Sequence, residues 1–386
     1  MSFTKSGVQA ELDRFFKAVS KSPSSFDSIS KSAFTQSRRK LKPEAFIELA
    51  KVQLDYFEEN APYKKNWKNN RVIAIDGSTL NLPNSEELKS VYGCLLNKTD
   101  EGAIAKCSVA YDVCNELIID SFIGPVINSE QEMALIHLPK LNSETDLLVF
   151  DRGYPSQWLI GLLMKEGFRF CFRLSSSWKE ALSLLKDDLN DTDWTLELNS
   201  YKGIEKIKEY NIPLKIEGLR LVSFELPSGE REVLVTNLSD REKYSIKDLS
   251  DLYRMRWGVE ESFKSLKKVL NMEYFTGKTL LSVQQDFYAK VFMLNMASMI
   301  GTQGVYEERL SKTTTKHKSK PNKTQLLAKT KDFLTELFYS SKLSKVIRQL
   351  LKLLHSRCEI IRPNRSFSRS NVKKGRSVKS LNYKEI

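Results

Sequence analysis

Residues Arg71–Leu82 read RVIAIDGSTLNL. The β-branched run Val72–Ile75 has the unbroken apolar character of a short strand covered on both faces, and Asp76 interrupts it. Further on, LLVF at Leu147–Phe150 is a second short buried run, and it hands over to a turn at Asp151, Arg152, Gly153, Tyr154 and Pro155. Taken alone, either aspartate also reads as a turn former or a helix cap.

The elements around these two strands set the order. Ile104–Val113 and Leu117–Ile123, separated by Cys114, Asn115 and Glu116, predict an antiparallel hairpin. A helix is expected over Glu130–Leu138, ahead of the Asp151 strand. Ser156 can cap a helix through Lys165 that bears Trp158, Leu159, Leu162 and Leu163, and FRFCFRL at Phe168–Leu174 alternates as a fifth strand. The expected order is three strands, helix, strand, helix, strand.

Downstream stands YRMRWGVEESFKSLK, Tyr253–Lys267. Read as one helix at about 100° per residue, Tyr253, Arg256, Glu260 and Lys267 fall within an arc of about 60°. Leu252, Met255, Val259, Phe263, Leu266 and Leu270 gather beside that arc, so the polar strip borders a buried face. This placement selects Glu260 over Glu261 and leaves Lys264 as a weaker member of the cationic set. An amphipathic helix with a wet basic side has a similar pattern. The distinguishing feature is one carboxylate flanked by a phenol, a guanidinium and an ammonium at the core boundary, a set suited to holding a metal beside a phosphate.

Taken together, Asp76 in IDGST, Asp151 in FDRGY, and Tyr253, Arg256, Glu260 and Lys267 at spacings of three, four and seven resemble the DDE transposases of bacterial insertion sequences. The branch resembled is insertion sequence four, marked by a Tyr-Arg-Glu-Lys signature. The resemblance runs roughly from Ser32 to Tyr383. It implies an α/β fold with a ribonuclease H-like mixed sheet flanked by helices, interrupted by a β-rich insertion and carrying helical N- and C-terminal extensions. Asp76 would lie on the central strand, Asp151 at the end of the fourth, and Glu260 on a helix against the sheet. By the same resemblance, Asp76, Asp151 and Glu260 are the catalytic acids and hold two Mg²⁺ ions, with Mn²⁺ able to substitute. Tyr253, Arg256 and Lys267 would be its DNA phosphate-binding residues, with Lys264, by its place around the helix, a weaker candidate. The implied activity is cut-and-paste transposition through a hairpin intermediate on double-stranded DNA, namely the terminal inverted repeats of its own element and a target, by a homodimer in the synaptic complex. A metal-dependent nuclease on the same core and a non-catalytic DNA-binding relic are the rivals. The presence of all three acids argues against the relic.

The resemblance and the element pattern divide the chain into an N-terminal helical DNA-binding region (1–70), a catalytic core (71–174 and 246–305), a β-strand insertion (175–245) and a basic helical C-terminal region (306–386). In the insertion, Trp194–Leu198, Leu219–Leu226 and Glu232–Leu238 read as strands, with Pro227–Glu230 as a turn. The family stacks an insertion aromatic on a flipped base. Here Glu232 stands where a Trp is sought, which leaves Trp178 and Trp194 as candidates. Near the start, Ser32–Leu41 predicts a short helix with Phe34 and Leu41 inward and Arg38, Arg39 and Lys40 outward, suited to DNA-end contacts. Arg309–Lys331 and Arg362–Lys384 contain no acidic residue and many basic ones, which suits phosphate contact.

The net charge of +13 fits a polyanionic partner. No run of about 18 apolar residues occurs and residues 1–30 lack a signal-peptide core, so a cytoplasmic, nucleoid-associated protein without membrane contact is expected. The five cysteines form no CxxC pair and only three histidines occur, which disfavours structural zinc or a disulfide framework. Neither a P-loop nor a GxGxxG match is present, so no nucleotide cofactor is expected.

Overall fold

The computed structural model describes residues 7–19, 29–96, 101–185, 189–198, 203–226, 229–310, 319–355 and 358–360. Three helices come first: α1 (Val8–Val19), α2 (Lys31–Arg38) and α3 (Glu44–Asn60). Then follow β1 (Arg71–Asn81), α4 (Glu86–Tyr92), β2 (Cys94–Leu96), β3 (Glu101–Asp112), β4 (Leu117–Gly124), α5 (Glu130–His137), β5 (Asp146–Phe150), α6 (Gln157–Lys165) and β6 (Arg169–Arg173).

β1 pairs antiparallel with β3 and parallel with β5; β3 pairs antiparallel with β4, and β5 parallel with β6. The spatial order β4-β3-β1-β5-β6, an antiparallel meander continued by two parallel strands, is the ribonuclease H-like arrangement. Local chemistry closes its turns. The Asp112 carboxylate accepts hydrogen bonds from the backbone N–H of Cys114 (2.9 Å) and Asn115 (3.0 Å), and Glu116 takes a left-handed φ of 60°, which reverses the chain into β4. The Ser156 side chain caps α6 by accepting from the Leu159 N–H.

The next segment extends the same sheet. α7 (Lys179–Ser183), β7 (Asp191–Glu197), α8 (Ile204–Glu209), β8 (Lys215–Glu225) and β9 (Arg231–Thr236) follow, and β9 pairs with β6, giving the order β6-β9-β8-β7. Gly229, at φ 80°, and Glu230 lie in the turn between β8 and β9, whereas Pro227 and Ser228 lie outside the described residues. Buried Arg220 donates to both carboxylate oxygens of Asp191 (2.9 and 2.6 Å) and to the Leu238 and Tyr244 carbonyls, tying these strands to the approach to the next helix.

That helix is α9 (Ile246–Met255), followed by α10 (Trp257–Lys264), a π-helical turn at Ser265–Val269 and α11 (Leu280–Leu310). β10 (Ser319–Pro321), α12 (Lys323–Tyr339), α13 (Leu343–His355) and β11 (Cys358–Ile360) complete the described chain. The basic run from Arg362 lies outside the described residues, as does most of the stretch between Arg309 and Ser319.

Because side chains alternate along a strand, the two faces of the sheet build separate cores. Ile73, Ile75, Leu148, Phe150, Phe170 and Phe172 face the side covered by α5 and α6. Val72, Leu147, Val149, Cys171 and Leu234 face the side covered by α9. Ala74 joins the core of α10, α11, α12 and α13. Truncating a fully buried residue such as Ile75 or Leu148 to Ala costs about 2–5 kcal/mol. Among the described residues, no helix is long and apolar enough to cross a membrane.

Three expectations are corrected here. Tyr253–Lys267 is not one helix: the Arg256 N–H bonds back to the Tyr253 carbonyl, three residues away (3.1 Å), which breaks the run, and the Leu270 N–H reaches the Ser265 carbonyl (3.0 Å) in the π turn. Arg38 does not face outward either. Its guanidinium is bound by Thr276, Gln285, the Ser282 carbonyl and Asp286 at the start of α11, because a cluster of acceptors there offers more than solvent does. Leu41, expected inward, is exposed, as are Arg39 and Lys40.

Candidate active site

Parallel pairing aligns the two aspartates. Ala74 is the register partner of Val149, so Asp76, within β1, and Asp151, just past the end of β5, each two residues farther on, lie at the same level. Each shares the parity of the residues facing the α9 side, Val72 and Ala74 for Asp76, Leu147 and Val149 for Asp151, so both carboxylates point toward α9 and α10. One strand further out, Phe150 pairs with Phe172, which places Arg173 level with Asp151. Glu232 lies on the same face of β9 as Leu234, the register partner of Arg173.

The helices supply the other wall. Tyr253 is buried and its hydroxyl donates to Asp151 Oδ1 (3.0 Å), which also accepts the Arg152 N–H (2.7 Å). Arg256, only 4% exposed, donates from Nη2 to Glu260 Oε1 (3.0 Å) and lies over the Tyr253 ring at 5.5 Å. Lys267 donates to the Thr79 carbonyl (2.6 Å) on β1. Asp76 Oδ1 accepts the Gly77 N–H (2.9 Å). Two buried polar atoms in this group, Arg256 Nε and Tyr154 Oη, have no hydrogen-bond partner in the protein.

The electrostatics separate the two aspartates. Desolvation raises Asp76 to about 6; the Gly77 N–H and Arg256 oppose this, while Asp151 and Glu260 add to it. Asp151 also suffers desolvation, but the Arg152 N–H, Arg256, the Tyr253 hydroxyl and Arg173 outweigh it and hold its carboxyl below the usual value. Burial is the largest cause holding the Tyr253 phenol far above its ordinary range, so it stays a donor.

The structure therefore gathers Asp76, Asp151, Tyr253, Arg256 and Glu260. It does not gather Lys264, which is exposed and paired with Glu261. It also changes what Tyr253 can do: the phenol proposed for DNA phosphate is already bonded to Asp151. Three neighbours were missed in the sequence. Arg173 is held by Glu232 (2.9 Å) and Glu230 (3.0 Å), and its signal was the basic alternation of FRFCFRL. Tyr154 stood in the FDRGY motif. Trp257, directly after Arg256, is 53% exposed, whereas Trp194 is buried and packs edge-on against Trp178 at 5.9 Å.

All three acids offer carboxylate oxygens, the donor type that Mg²⁺ takes, and Asp76 is a carboxyl whose charge is poorly compensated. That donor set fits a divalent cation. Among the described residues, however, no three His, Cys, Asp or Glu side chains converge on one metal position. Glu260 is drawn to Arg256 instead.

A family model described as "Transposase DDE domain" matches residues 67–296. No curated protein matches the chain. Among solved structures, a piggyBac transposase synaptic complex with hairpin DNA is similar at 11% identity and a TM-score of 0.40, covering 85% of this chain and 65% of that one.

Proposed function

The chain belongs to the transposase DDE domain family, and from that premise we propose that it cuts DNA at the ends of its own element and joins the freed 3′-hydroxyl to target DNA. The observation that carries this reading is the parallel register that sets Asp76 beside Asp151, with Glu260 facing them from α10. In this reading Asp76, Asp151 and Glu260, the last of them paired with Arg256, would hold Mg²⁺, or Mn²⁺ in its place. The bound cations supply Lewis acidity toward the phosphoryl group and lower the pKa of an attacking water or hydroxyl.

The chain's own residues do the rest. Tyr253 fixes the orientation of Asp151 by its hydrogen bond. Arg256 presents a guanidinium to the phosphate beside the cut. Lys267 adds positive charge along β1. We further propose the insertion sequence four branch and the cut-and-paste route through a hairpin. The reaction would use a dimer to bridge two ends, with Arg39 and Lys40 as end contacts and a cytoplasmic location. The division into regions 1–70, 71–174 with 246–305, 175–245 and 306–386 belongs to the same proposal.

The test is incubation with Mg²⁺ of a duplex bearing the element's own terminus together with a supercoiled plasmid. Site-specific nicking followed by joined product supports the reading. Nicking without joining favours a nuclease, and no cleavage with either Mg²⁺ or Mn²⁺ refutes both.

A further inference from the structure

α13 reads LSKVIRQLLKLLH and has no acidic residue. Most of its apolar side is taken up by the core: Val346 is buried and Leu350, Leu351 and Leu354 join the core of α11 and α12, while Leu343 and Leu353 stay exposed. The opposite side presents Lys345, Arg348 and Lys352, spaced by three and four, with Gln349 between them and Lys342 just ahead, all exposed. At 1.5 Å per residue the row from Lys345 to Lys352 is about 10 Å long.

Many surface lysines of this protein sit against an acid, as in Lys51–Asp55, Lys206–Glu209 and Lys215–Glu217. Two further acids, one of them on α12, are likewise paired: Glu116 with Lys323 and Asp332 with Lys329. Among the described residues, none of Lys342, Lys345, Arg348 and Lys352 forms an ion pair. The face thus offers N–H donors and uncompensated positive charge. A lipid surface does not suit it, because a membrane-bound amphipathic helix needs its apolar side free.

We propose that this face of α13 is a docking surface for the phosphate backbone of duplex DNA, separate from the carboxylate site. The proposal rests on the DNA-cutting reading above. Lys and Arg on a straight helix edge contact phosphates without reading bases, so the surface adds affinity and not sequence preference. Each phosphate contact releases counterions and contributes about 0.9 to the slope of log affinity against log salt.

The experiment uses the full chain, the triple variant K345A/R348A/K352A, and the charge-keeping variant K345R/K352R. Affinity for a long duplex without the element terminus is measured across salt, with circular dichroism and melting to establish that the variants fold. The triple variant should lose about 2.7 from the slope, so its affinity loss between about 50 mM and about 200 mM salt shrinks about fortyfold relative to wild type. The charge-keeping variant should retain the wild-type slope, and cleavage of a short terminal duplex should be equal in all three. A folded triple variant with the wild-type slope overturns this inference alone, as does an equal loss of short-duplex cleavage. A wild-type chain with no affinity for duplex DNA overturns the proposed function with it.

Discussion

Replacing Asp76 by Asn, in protein freed of divalent cations, should stabilise the fold while ending cleavage. Asp76 titrates at about 6 in the folded chain against an ordinary value of 3.8, chiefly through desolvation, with Asp151 and Glu260 adding to it. Two units at 1.36 kcal/mol each make the ionised carboxylate a burden of at most about 3 kcal/mol at neutral pH. As pH rises from about 4 to about 6 the folded state keeps a proton that the unfolded chain has released, so stability falls across that window. Below about pH 4 the burden is absent. Asn removes the charge and can still accept the Gly77 N–H. Urea unfolding of both proteins from pH 4 to pH 7.5 should show Asp76→Asn ahead by up to about 3 kcal/mol near neutrality, with the gap closing toward pH 4. Added Mg²⁺ should then stabilise wild type and not the variant. A variant less stable than wild type at pH 7, or a gap independent of pH, would refute the reasoning.

Asp151→Asn and Glu260→Gln should each abolish Mg²⁺-dependent cleavage, while Glu261→Gln, altering only an exposed pair with Lys264, should not; a gel assay on terminal duplex decides, and activity in the Glu260 variant defeats the assignment. Tyr253→Phe removes the donor to Asp151 and should weaken Mg²⁺ affinity about tenfold or more, read from the cation dependence of cleavage rate. Arg256→Ala leaves the three carboxylates without their central counter-charge, so its melting temperature should fall and Mg²⁺ should recover part of the loss; an unchanged melting temperature argues against that role. Tyr154→Phe deletes a buried hydroxyl that has no partner in the protein, so chemical denaturation should show equal or greater stability, and a loss above about 1 kcal/mol would show that the hydroxyl is satisfied.

Much of the sheet was legible in the chain because local chemistry and core pattern agree there. The runs ending in Asp76 and Asp151, the turn at Asn115 and the cap at Ser156 each carry their reason within a few residues. The aspartate motifs and the Tyr-Arg-Glu-Lys spacing likewise stand in the sequence. What lies beyond it are facts that depend on partners far along the chain. Periodicity could not reveal the break at Arg256 or the π turn, because a helical wheel assumes that every residue adds the same rotation. Nor could it show that Arg38 turns inward, since Asp286 and Gln285, which hold it, lie some 250 residues away in sequence. The same holds for Tyr253 and Arg173. Their roles follow from which strand end each meets, and only the parallel register of β1, β5 and β6 brings Asp76, Asp151 and Arg173 to one level beneath α9 and α10.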